Sequence, residues 1–193
     1  MKRPSNKAEG RRLRAVCLIV FLLGVSAGIA FAGDKENLKK EMSRLAMTAK
    51  DIIYRSPHGY SILVPAGYEY RPSNQPAYSG ILSLVAIKDH GNNRKSVVTV
   101  LVSDSGEPTP EEELEEICKE IKAENETAIF SRTITGRDKN KVRRDYRCMV
   151  KGYNLQGIVV VLFKNNRIYQ LGLQSYAFDK ARADFERITA SFQ

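Results

Sequence analysis

The chain has 193 residues, a formal net charge of +9, nine Tyr, seven Phe, no Trp and three Cys. That length suits one modest domain. Ordinary apolar and charged fractions exclude wholesale disorder, a collagen-like repeat and a multi-span membrane protein.

Residues 1–14 carry Lys2, Arg3, Lys7, Arg11, Arg12 and Arg14 against the single Glu9, and 15–32 carry no charge. This is the pattern of an export signal: a basic start followed by an apolar run. The run ends in Ala30-Phe31-Ala32, small residues at the positions that signal peptidase accepts, so cleavage is expected between Ala32 and Gly33. An uncleaved anchor is the alternative, because the run approaches the ~20 residues that cross a bilayer. Arg14 replaces the apolar residue that a twin-arginine signal wants after Arg11-Arg12, and Cys17 lies too early in the run to be a lipidated cysteine, which leaves the general secretory route. The expected location is therefore periplasmic or secreted, with membrane contact only through a retained signal. Loss of 1–32 removes six of the 31 basic and one of the 22 acidic residues and lowers the net charge to +4. A nucleic-acid partner is then not implied.

Residues 33–50 read as a helix or linker, with Leu38, Met42, Leu45 and Ala49 on one helical face. Ile52–Tyr54 and Tyr60–Val64 form a hairpin about Pro57-His58-Gly59, and Pro65–Gly80 is a loop by its prolines and glycines. A second hairpin joins Ile81–Ile87 to Ser96–Val102. Thr109-Pro110-Glu111-Glu112 is an N-cap, a first-position proline and a capping-box glutamate. Leu114, Ile117, Cys118 and Ile121 then follow at helical spacing. Four strands come next, Ala128–Thr135, Val142–Val150, Gly157–Lys164 and Arg167–Gln174, the last two turning at Asn165-Asn166. A final helix begins at Asp179 as N-cap and carries Ala181, Phe185, Ile188 and Phe192. The fold class is α+β, a largely antiparallel sheet flanked by helices, with one domain over 51–193.

The segment Gly59-Tyr60-Ser61-Ile62-Leu63-Val64-Pro65-Ala66-Gly67-Tyr68 resembles the opening of PsbP-like and Mog-like domains. The ending Phe185-Glu186-Arg187-Ile188-Thr189-Ala190-Ser191-Phe192 is similar to their terminal helix. The likeness spans about 51–193, and Tyr68 stands where many members have Trp. It implies an α/β/α sandwich and a non-enzymatic binding or assembly role; it carries over no catalytic residue.

The candidate chemistry is sparse. His58 and His90 fall in turns without a ligand or base partner at suitable spacing, and no phosphate loop, nucleophile elbow or dinucleotide fingerprint occurs. No cofactor or metal is expected. The acidic helix over 111–126 could dock a basic partner or a divalent cation, or simply face water. Arg143 and Arg147 point to one side of their strand, opposite Val142, Tyr146, Cys148 and Val150, as either an anion-binding surface or a solvated one. Tyr68, Tyr70 and Tyr78 share one Pro-rich loop, as a binding surface or as rings that seal the end of the sheet. Cys118 and Cys148 both face the helix–sheet layer, and with Cys17 removed each has one intrachain partner, so a Cys118–Cys148 disulfide is expected, with two buried free thiols packed as small apolar groups as the alternative. The leading function is an exported, non-catalytic binding or assembly module that meets another envelope protein. A carrier or sensor of a small apolar ligand is the alternative, and an envelope hydrolase a weaker one.

Overall fold

The computed structural model describes residues 46, 47, 49–77, 80–92, 94–104, 108–137 and 139–193. The export signal with its Ala32/Gly33 junction, and Tyr78, lie outside the described residues.

Among the described residues, eleven strands and two helices follow one another as β1 (Ala46–Met47), β2 (Ile52–Ser56), β3 (Tyr60–Val64), β4 (Glu69–Ala77), β5 (Gly80–Asp89), β6 (Lys95–Asp104), α1 (Pro110–Glu124), β7 (Ile129–Phe130), β8 (Ile134–Thr135), β9 (Lys141–Val150), β10 (Tyr153–Lys164), β11 (Arg167–Ser175) and α2 (Phe178–Ala190). Nine strands make one antiparallel sheet in the order β1-β4-β5-β6-β11-β10-β9-β7, with β8 also on β9, while β2 and β3 pair separately. The expected α+β class is what the chain adopts.

Period-two alternation gives the sheet two apolar faces, and each is covered by a different element. On one face Val142, Tyr146, Cys148, Leu155, Val159, Val161 and Ile168 pack under the stripe Leu114, Ile117, Cys118 and Ile121 of α1. The opposite face carries Leu84, Val98, Val100, Ile158, Val160, Tyr169 and Leu171, which the β2–β3 hairpin and the Ala181, Phe185 and Ile188 face of α2 bury. The result is an α/β/α sandwich.

Local signals explain most boundaries. Thr109 caps α1 in a full capping box, its side chain accepting from the Glu112 N–H while Glu112 accepts from the Thr109 N–H at 2.8 Å. Asn165 and Asn166 turn β10 into β11 with φ of 50° and 59°, the left-handed region that asparagine tolerates.

Three elements depart from expectation. The segment read as a loop is in part β4, which pairs with β5 from Glu69 to Ala77 and with β1 at Glu69 and Tyr70. Pro72 stands opposite Leu84, and a register shift follows between Pro72 and Gln75. The strand expected over 128–135 is two short strands, since the Asp145 backbone binds Ser131 through both the Ser131 N–H and its hydroxyl between them. α2 begins at Phe178 with no side-chain cap, as Ser175 Oγ takes the Ala177 N–H instead and Asp179 falls in the first turn.

The expected Cys118–Cys148 disulfide is absent: both cysteines are buried free thiols. The two do face the same layer, but at different heights. Cys118 meets the Arg144 side chain, whereas Cys148 lies four residues further along β9, a span of about 13 Å along a strand. Tyr146 fills the interval between them.

Candidate interaction surface

β9 is the strand from which the surface is built. Its even-numbered side chains go under α1, so its odd-numbered ones, Lys141, Arg143, Asp145, Arg147 and Met149, face the side of α2. α2 reaches this row only at Arg143, which lies 2.5 Å from Glu186 and forks onto both oxygens of Asp145 at 2.7 and 3.1 Å. Arg143 is thereby tied into the fold, with its side chain only 15 % exposed.

Beyond that ion-pair network the sheet face is open. Ile129 lies directly opposite Arg147, and Ile134 directly opposite Arg143, so both point to the same side as Met149. Their exposures are 56 %, 60 % and 47 %. Exposed large apolar side chains among the described residues are few, and three of the five therefore share one sheet face; Ile53 and Tyr153 lie elsewhere. Arg147 is exposed in the middle of this row and has no ion pair among the described residues.

At the lower end of the row the β8–β9 turn, the first residue of β9 and the end of β10 enclose an open cleft of about 770 Å³. Arg137, Lys141 and Lys164 line it together with Leu162, Phe163 and Phe192.

Tyr68 and Tyr70 lie toward the opposite side of the sheet, at the start of β4. Tyr68 is fully buried, with Lys88 Nζ 5.2 Å from its ring centroid, and burial pushes its phenol pKa up. Tyr70 is half-buried against Tyr54 at 6.1 Å.

The histidines carry no accessible catalytic pair. His90 Nε2 is 2.7 Å from Ser96 Oγ, which in turn meets Ser175 Oγ at 2.7 Å, but Ser96 is wholly buried and Ser175 nearly so. A nucleophile must reach its substrate, and these hydroxyls do not. Burial and the charges of Lys88 and Lys180 lower the His90 pKa. His58 Nε2 is buried without a hydrogen-bond partner among the described residues, while its backbone carbonyl accepts from Arg167 at 2.8 Å. Among the described residues no group of three His, Cys, Asp or Glu side chains is placed to hold a metal ion.

Sequence reasoning missed Ile129, Ile134 and Met149. A signal existed for the first: Ala128 and Phe130 pack inward, so Ile129 between them must point out.

No protein-family model matches the chain, and no curated protein matches it. Among solved structures, cyanobacterial PsbP from Synechocystis is similar at 15 % identity with a TM-score of 0.54, the match covering 75 % of this chain and 92 % of that one. At that identity the likeness is one of fold, and the fold is the PsbP-like α/β/α sandwich. A Pseudomonas aeruginosa protein of unknown function is similar at 12 % identity with a TM-score of 0.45, over 72 % of this chain and 94 % of the other, too loose a likeness to add to it.

Proposed function

We propose that this protein is a non-catalytic module of the cell envelope that binds another protein through the open face of β7, β8 and β9. The observation that carries the reading is the alignment of Ile129, Ile134 and Met149 on one exposed sheet face, with Arg147 among them. Exposed apolar side chains are unremarkable singly; grouped on one face and rimmed by charge, they mark interaction surfaces. The placement in the envelope rests on the basic start, the uncharged 15–32 run and Ala30-Phe31-Ala32.

Photocrosslinking tests the surface in the native cell. A photoreactive residue at Met149 or Ile134 is expected to trap one and the same protein, and one at Ala123, exposed on α1, is expected to trap nothing. Equal capture from Ala123 removes the assignment of the surface.

A further inference from the structure

The cleft beside this face gathers three cations. Several cations of the fold are paired, Lys88 with Asp184, Arg143 with Asp145 and Glu186, Arg144 with Glu115, and Arg187 with Asp51, while others, Arg147 among them, stand singly without an ion pair among the described residues. Arg137, Lys141 and Lys164 share one cleft, and among the described residues none of the three has an ion-pair partner. No carboxylate is among the described residues that line it; Asp138, in the same turn, lies outside the described residues. Like charges gathered without counter-charge repel one another and attract an anion.

The cleft is not purely polar. Lys141 pairs directly across the ladder with Leu162, and Lys164 is two residues further on the same face, a diagonal of roughly 7–8 Å between backbones. Leu162 and Phe192 are half-buried at the cleft and pack against the same core, so apolar surface lies beside the cations, whereas Phe163 turns to the opposite sheet face. No helix N-terminus is among the lining residues, so the arrangement differs from the usual cradle for a single phosphate. Spread cations around an apolar floor instead match several carboxylates flanking a large apolar side chain. Ile134 stands two residues before Gly136, which lines the cleft, so cleft and open sheet face are continuous.

We propose that the cleft binds an acidic peptide segment of the partner protein, its carboxylates on Arg137, Lys141 and Lys164 and an aromatic side chain on Leu162 and Phe192. This rests on the reading of the chain as a protein-binding module, and it names the chemistry of the partner.

The test is a fluorescence-anisotropy titration of the full chain against labelled Glu-Glu-Phe-Glu-Glu. Gln-Gln-Phe-Gln-Gln is expected to bind at least about tenfold more weakly, and Glu-Glu-Ala-Glu-Glu at least about threefold. Raising ionic strength from about 0.05 to about 0.5 M is expected to weaken the parent peptide roughly tenfold. The double variant R137E/K164E alters two exposed side chains and is expected to lose at least about tenfold in affinity with an unchanged thermal midpoint. Equal binding of the Glu and Gln peptides, or an R137E/K164E protein that binds as well as the parent, overturns the proposal. Displacement of the peptide by millimolar inorganic phosphate also overturns it, since the cleft is then a simple anion site. Crosslinking from Met149 that persists while the peptide fails to bind discards the acidic segment and leaves the docking face standing.

Discussion

Ser61 and Gln193, 132 positions apart, exchange two backbone hydrogen bonds: Ser61 N–H donates to the Gln193 carbonyl at 2.9 Å and Gln193 N–H donates to the Ser61 carbonyl at 3.0 Å. Ser191 Oγ adds a third tie by accepting from the Leu63 N–H at 2.8 Å. The last residues after α2 thus act as a further strand on the β2–β3 hairpin, whose two strands pair with each other.

Phe192, between these ties, stacks on Tyr60 at 5.2 Å and meets Tyr169 edge-on at 5.0 Å. Phe192→Ala is expected to cost about 2–3 kcal/mol, below the range for a fully buried Phe because Phe192 is half-buried. Thermal unfolding should show the midpoint lowered by roughly 5–10 °C. Hydrogen exchange should speed up first at Ser61 and Leu63. Slow, unchanged exchange there would show that the hairpin does not depend on the terminus.

Gly157 and Tyr146 face each other across β9 and β10, and a Cβ built on Gly157 would meet Tyr146 Cε1 at 2.4 Å. The ring covers the glycine, as aromatic residues do beside a side-chain-free position in a sheet. Gly157→Ala is therefore expected to destabilise by about 1–3 kcal/mol through overpacking. The double variant with Tyr146→Leu should be less destabilised than the two single losses summed. A simple sum in denaturant melts would mean that the two residues are not coupled.

Burial pushes the Cys118 and Cys148 thiols up, and it does the same to the phenols of Tyr60 and Tyr146. The folded state therefore holds the protonated forms while the unfolded chain ionises first, near pH 8.5 for thiols and about 10 for phenols. Stability is fully present below those values and falls as pH rises past them. Alkylation after denaturation should label two thiols in 33–193 without reductant. In the native state, labelling should stay slow until well above the ordinary thiol range. A chain that needs reductant before either residue labels would contradict the free thiols.

Much of the architecture was legible in the residues. Thr109-Pro110-Glu111-Glu112 announced α1, Asn165-Asn166 announced the last hairpin, and alternation sorted β9 into two faces, because each of these signals is local. What stayed hidden was register and coverage. Facing sides did not reveal that Cys118 sits at Arg144 rather than at Cys148, and the prolines of β4 hid a strand whose partner β5 follows it in the chain. The open face beside α2 was equally invisible. Whether an outward isoleucine is covered depends on how far a helix from another part of the chain reaches, and α2 reaches only to Arg143.

The double variant Ile129→Lys/Met149→Lys tests the docking face most directly, with partner capture and thermal midpoint measured on the same protein. Both side chains are about half exposed, so the midpoint should stay within about 3 °C of the parent. Capture of the protein that crosslinks through Met149 or Ile134 should fall at least about tenfold, as two charges enter an apolar contact. Undiminished capture by a variant that folds as well as the parent would contradict the docking face outright.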